Sequence, residues 1–308
     1  MTNVWSPARL ELTAASTDPT KTKTIRDTYA SRLRARFGAI NAAIREGVLK
    51  NNILGLESSG SADEAAELAE TFAGDQVELH ADVDRPPDLS TLEEAEKMRR
   101  FQEWLAEAQE SEVLEVISRE ENVWVRRAYE RGIENADSRL TQAGMSVAGG
   151  DAADAITVPL HERRLKTLFA RNFAELNGIT DAVSQQISRE LATGLSEGVS
   201  PTEMARRLTD RVSKIGKTRA TTLARTEIIN SHTEAALQRY EQQGVDTVGI
   251  EPEVEIVTAG DNSVCQECLT AAEAGPWKID EFRGSEYQPP LHPNCRCAVS
   301  PVVDRQKQ

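Results

Sequence analysis

Residues 264–301 read VCQECLTAAEAGPWKIDEFRGSEYQPPLHPNCRCAVSP. Every cysteine of the chain lies in this stretch: Cys265, Cys268, Cys295 and Cys297, with His292 three residues before Cys295. Cys265 and Cys268 form C-x2-C, a spacing that lets a tight turn aim two sulfurs at one ion. His292, Cys295 and Cys297 form H-x2-C-x-C. Zinc takes thiolate and imidazole ligands in a tetrahedron, and its structural sites commonly use four cysteines or three cysteines and one histidine. Two ligand groups separated by about two dozen residues predict such a site.

Five candidates compete for four places. Cys265 and Cys268 are the firmest. In an extended C-x-C the two sulfurs share one face, because side chains alternate with a period of two. That would leave His292 spare. Sulfurs only two residues apart are, however, a tight pair for one tetrahedron, and His292 offers a roomier spacing. The expected set is Cys265, Cys268, His292 and Cys297, with Cys295 as the alternative ligand. A catalytic zinc keeps one position open for water. Here the protein has more than enough ligands to close the shell, and no H-E-x-x-H glutamate is present. The C-terminal segment is also too small to fold on an apolar core alone, so the zinc is expected to be structural.

Composition narrows the class. The chain has 308 residues and a formal net charge of −14, which argues against free duplex DNA as its main partner. No apolar run reaches the roughly 20 residues of a membrane span. The first residues lack the apolar core of a signal peptide, which predicts manufacture in the cytoplasm. There is no Walker A sequence, no G-x-G-x-x-G and no G-x-S-x-G, so no catalytic or organic-cofactor residues are assigned and the chain is expected not to be an enzyme.

Working back from the cysteines, the chain reads as mainly α: a multi-helix body with a small C-terminal α+β zinc-stabilised module. Residues 1–50 form an N-terminal helical segment, in which Ile25, Tyr29, Leu33, Phe37, Ile40 and Ile44 recur at helical spacing. Residues 51–90 are rich in Ser, Gly, Asp and Pro and read as an acidic flexible linker, with a short helix at Asp63–Thr71. Residues 91–243 form the helical body. Ser90 and Glu93 predict a capping box before a face of Met98, Phe101, Trp104, Leu105 and Ala108. Val123, Val125, Tyr129 and Ile133 mark another helix, followed by a loop near residues 143–159. HERRLKTLFARNFAEL, TDAVSQQISRELATGLSEG and SPTEMARRLTDRV read as three further helices, the last opened by Ser200, Pro201 and Glu203 and paired in a hairpin with the one before. A longer helix covers residues 217–243. Residues 244–308 then form the small zinc-binding α+β module, with one or two strands around Val254 and Ile256 and a closing strand at AVSPVV.

Arg225, Thr226, Glu227, Asn230 and His232 make a polar cluster on that longer helix. Arg225 and Glu227 point about 200° apart on a helix, so they cannot easily serve one pocket. Ion pairing that ties the helix to the module is the expectation. His80 and His161 stand alone in the sequence and read as solvent-exposed or linker residues.

ARTEIINSHTEAALQRYEQQGV, then DNSVCQEC, a Gly-Pro turn and LHPNCRC together resemble the C-terminal module of the Mu-F-like phage head morphogenesis proteins, also called minor head or minor capsid proteins. ISRELATGLSEGVSPTEMARRLTDRV and RRAYERGIENA look similar to the same family, so the resemblance covers residues 92–302. It implies a structural virion protein of a tailed virus, in the head interior or at the portal vertex. It implies multiple copies per virion, the portal protein or the major capsid protein as partner, and a role in head assembly and DNA packaging or ejection. Contact with packaged DNA would follow, and no membrane. The alternative is a metal-dependent nuclease with a Cys/His zinc-stabilised fold, in which His292 and Asn294 would act.

Overall fold

The computed structural model describes residues 18–57, 85–117, 122–244 and 253–302. Among these the fold is mainly helical, with one small sheet near the C-terminal end, as the periodicity predicts. The chain divides into two compact units, neither continuous in sequence: Tyr29–Glu120 with Ala170–Leu223, and Met1–Thr28 with Glu121–Phe169 and Ala224–Gln308.

In the first of these, α1 (Lys23–Arg45), from Tyr29 onward, buries Tyr29, Leu33, Phe37, Ile40 and Ile44; Ile25, at the helix start in the other unit, is half-buried. A π-helical turn, Glu46–Lys50, ends the helix. The described ends of the acidic stretch are packed. Ile53, Leu54 and Leu89 are buried, and the Leu89 amide donates to the Ile53 carbonyl at 2.8 Å. Residues 58–84, including the helix expected at Asp63–Thr71, lie outside the described residues.

Helix α2 (Glu94–Gln109) buries Phe101, Trp104, Leu105 and Ala108. Its N-cap is Glu93 and not Ser90, so the predicted capping box does not form. A preceding local turn occupies Ser90: its amide donates to Asp88 Oδ1, and the Leu92 amide donates to the Leu89 carbonyl.

Two of the three helices expected after residue 159 are one helix, α5 (Pro159–Glu197). Residues 177–179, between the two expected helices, are helical too: Leu176, Ile179, Val183, Ile187 and Leu191 carry a buried stripe straight through them. Burial of that stripe outweighs the roughly 1 kcal/mol that one glycine costs a helix. The predicted hairpin is present. Gly198, at φ +63°, ends α5, and the Val199 amide bonds back to the Gly194 carbonyl at 3.1 Å. Ser200 then caps α6 (Pro201–Arg211) by accepting from the Glu203 amide. The Glu203 carboxylate engages Arg206 and Arg207, so only half of the capping box is made. Gly194 allows close approach: a Cβ there would lie 2.6 Å from Met204 Cε.

The other unit holds the module that carries the cysteines. Asn122 caps α3 (Val123–Gln142), accepting from the Trp124 and Val125 amides. Val125, Tyr129 and Ile133 are buried, while Val123, in the first turn, is 45% exposed. The expected loop follows, broken by a single turn of helix, α4 (Ala152–Ala155). Within α7 (Thr218–Gln243), residues 227–240 are buried on every side. Gly132 of α3 sits so close to α7 that a Cβ would lie 2.4 Å from the His232 carbonyl oxygen.

The sheet has the order β2-β1-β3, all antiparallel, from β1 (Glu253–Val257), β2 (Trp277–Lys278) and β3 (Ala298–Val302). Residues 245–252 lie outside the described residues. Val254 and Ile256 point inward at the period of two, against Leu237 and Tyr240 of α7 and Phe282. Tyr240 also donates its hydroxyl hydrogen to the Val299 carbonyl at 3.3 Å, which ties the sheet to the helix.

Candidate metal centre

Local backbone chemistry places each ligand candidate. Cys265 is the N-cap of α8 (Gln266–Ala274), and its sulfur accepts from the Cys268 amide at 3.5 Å, the part usually played by a Ser or Asp oxygen. The C-x2-C spacing therefore puts both sulfurs on the same side of a helix start. That amide contact, with the neighbouring thiol and imidazole, holds the Cys265 thiol below its ordinary range.

The second arm is a turn. The Cys295 amide donates to the His292 carbonyl at 3.1 Å, and Asn294 between them has φ +64°. Proline at the first central position and Asn at positive φ at the second are what a type II turn requires. The turn brings His292 and Cys295 to one side. Cys297 follows after Arg296, and Ala298 opens β3 opposite Val257.

The arms meet. His292 Nε2 lies 3.2 Å from both Cys265 Sγ and Cys268 Sγ, and Cys268 Sγ lies 3.9 Å from Cys295 Sγ. Zinc–ligand bonds of about 2.3 Å to sulfur and about 2.0 Å to nitrogen imply tetrahedron edges of about 3.8 Å and about 3.5 Å. The donors and their spacing fit such an ion. The other imidazole nitrogen, Nδ1, lies 2.8 Å from the Pro293 carbonyl, an acceptor only, so Nδ1 carries the hydrogen and Nε2 presents its lone pair to the sulfurs.

Two groups of three could hold an ion: Cys265, Cys268 and His292, and Cys268, Cys295 and Cys297. Cys268 belongs to both. A surface pocket is lined by Cys265, Cys268, His292 and Cys297, and Cys268, Cys295 and Cys297 are all almost fully buried. The buried thiols also oppose one another. Hydrogen bonding from Cys297 draws Cys295 down to about 5, while burial and the charge on Cys295 push Cys268 up to about 12. Without a cation, the cluster cannot ionise together; a bound divalent ion would deprotonate its ligands outright.

Asp261 and Arg296 were not among the residues read from the sequence. Arg296 makes two hydrogen bonds to the Asp261 carboxylate, each 2.7 Å. The pair joins positions 35 apart in sequence, beyond any local pattern.

The polar cluster of α7 splits as its helical angles require. Arg225 reaches the module through Asn294 Oδ1 at 3.3 Å. The ion pairs joining helix and module are made farther along: Arg283 binds Glu234 at 2.8 Å and Glu241 at 3.1 Å. Glu227, Asn230 and His232 are buried in the unit's interior. His161, expected in solvent, is instead fully buried; Tyr129 Oη meets its Nδ1 at 2.9 Å and Gln242 its Nε2 at 3.3 Å. Its partners stand 32 and 81 positions away in sequence, beyond any local pattern. His80 lies outside the described residues.

His232 has a consequence in acid. Asn135 Nδ2 contacts its Nε2 at 2.9 Å, and its Nδ1 finds no hydrogen-bond partner among the described residues. Burial, with Arg139 nearby, holds its pKa down at about 3. The unfolded chain would take up that proton near pH 6.5, the folded chain only near 3. Stability is therefore lost as pH falls from about 6.5, at up to about 1.4 kcal/mol per pH unit from this group. Denaturant midpoints at pH 7, 6 and 5 should fall less steeply for His232→Gln than for the parent. Parallel slopes would remove His232 from the account.

Residues 185–300 match the family described as Phage Mu protein F like protein. This part of the chain is similar to that family. The match runs from within α5 to β3 and takes in the hairpin, α7, the sheet and all five Cys/His candidates. It begins well after residue 92, where the sequence resemblance was drawn, so residues 92–184 lie outside the Mu F-like segment. No curated protein and no solved structure matches the chain. No described helix is long and apolar enough to cross a membrane.

Proposed function

We propose that this chain is a structural head protein of a tailed virus, held in the virion at the portal vertex or the inner capsid, and acting in head assembly and DNA packaging or ejection. The observation that carries the reading is the Mu F-like match over residues 185–300, which contains the whole Cys/His cluster. In this reading a structural zinc ion is held by Cys265, Cys268, His292 and Cys297, the four candidates that line one pocket. Cys295 is the reserve ligand. The ion's chemistry here is cross-linking: it fixes the turn that carries His292 to the start of α8. His292 turns its lone pair onto two sulfurs, which speaks for a ligand and against a general base in a nuclease.

The test is co-expression of the full chain with the portal protein and, separately, the major capsid protein of the same virus. Co-purification with either at fixed stoichiometry, and density for the chain in isolated heads, is the expected result. Absence from purified heads would overturn the reading. Cleavage of duplex DNA by the purified chain with magnesium, lost in His292→Ala while zinc is retained, would install the nuclease in its place.

A further inference from the structure

We infer that Asp261 and Arg296 are positioning residues for the metal centre: a clamp that locks its two ligand arms in register before the ion arrives. The inference rests on the zinc reading above and adds residues that no ligand list contains.

The geometry is specific. Arg296 Nη1 and Nη2 bind Asp261 Oδ2 and Oδ1, each at 2.7 Å, which is the paired fork geometry that fixes both distance and orientation. The two side chains are 27% and 28% exposed, so the pair is partly shielded from water. Its position matters more than its strength. Arg296 stands between Cys295 and Cys297, so fixing its side chain restrains the short stretch of backbone that carries both sulfurs. Asp261 opens the turn that leads into Cys265. Its carboxylate also accepts from the Ser263 amide at 2.9 Å, and its carbonyl accepts from the Val264 amide at 3.1 Å. One residue thus shapes the turn before the first ligand and grips the arm that carries the last.

The two arms also share an apolar cluster that takes in Val264, Cys268, Leu291, Cys295 and Cys297, but apolar packing is non-directional, whereas the two-bond ion pair fixes orientation. The sheet anchors β3 only from Ala298 onward, and α8 fixes Cys265 and Cys268 only relative to each other. Without the clamp, only that packing and the ion would hold the arms in register. The entropy of ordering them would then be subtracted from metal affinity. Residues that orient ligands without touching the metal commonly change affinity by about 10–100-fold.

The experiment measures zinc affinity of the full chain by competition with a chromophoric chelator, alongside the visible spectrum of the cobalt-loaded protein. Asp261→Asn and Arg296→Lys should each weaken zinc binding by roughly tenfold or more and alter the cobalt d–d bands. The exchanged pair Asp261→Arg with Arg296→Asp should recover part of the loss. Thermal midpoints with and without zinc serve as the control. If both variants keep the parent's affinity and spectrum while the two midpoints fall together, the pair is merely structural and the inference is wrong. If the parent itself takes up no zinc or cobalt, the metal reading fails, and the clamp fails with it.

Discussion

Cys268→Ser is expected to abolish tight zinc binding and to unfold the segment 253–302. Cys268 is the one candidate shared by both groups of three that could hold an ion, so its loss disrupts both. Its sulfur is buried in the core cluster that also takes in Tyr240, Val254 and Phe282. Structural zinc supplies an apparent 10–16 kcal/mol, roughly, to small domains that fold around it. Losing a shared ligand should therefore reduce affinity by more than about a hundredfold, beyond the range of changes around the ligands. Metal content and limited proteolysis of residues 253–302 would report it. Cys297→Ser should behave similarly and Cys295→Ser more mildly, because Cys297 lines the ligand pocket and Cys295 does not. A Cys268→Ser protein that keeps one zinc per chain would sink the assignment.

The second large effect lies away from the cysteines. Asp137→Ala is expected to destabilise its unit by about 3–5 kcal/mol, the usual cost of stranding a buried charge. The side chain of Arg239 has no solvent exposure, and Asp137 binds it through both carboxylate oxygens, at 2.6 Å and 3.1 Å. Its remaining contacts are neutral acceptors, the Gly150 carbonyl at 3.2 Å and Gln242 Oε1 at 3.3 Å. Neither can replace the lost carboxylate. Urea midpoints of the parent and variant measure the change. A loss under about 1 kcal/mol, the level of exposed ion pairs, would mean that water reaches the guanidinium.

Much of the helical architecture was legible because it rests on periodicity. Tyr29, Leu33, Phe37, Ile40 and Ile44 declare their buried face by spacing alone. Gly198 with Ser200-Pro201 declares a turn by conformational preference. What failed were signals that local chemistry offers and neighbours override. Ser90 has the chemistry of a cap but is held in a turn by Asp88. Gly178 has the flexibility of a break but sits between Leu176 and Ile179, whose burial continues the helix. At the site, the ligand types and their two-arm spacing were visible in the sequence. The clamp and the buried histidines were not, because Asp261–Arg296, Tyr129–His161 and Asn135–His232 join residues 32 to 97 positions apart. Pattern reading sees one element at a time, and the two discontinuous units of this chain are assembled from pieces it has no means of pairing.

The meeting of α8 with the His292 turn also changes the topology of the chain. With an ion in place, Cys265 and Cys297 close a ring of about thirty residues that contains β2, the turn at Gly284 and the run to Pro290. Such a ring has far fewer unfolded arrangements than the open chain. By the loop-closure estimate used for covalent cross-links, a ring of this size is worth about 3–4 kcal/mol. Unlike a covalent bond, the ion leaves when the site unfolds, so this figure is a ceiling reached only while the ion stays bound. The ring would add a topological restraint to the apolar packing that already holds this segment against α7.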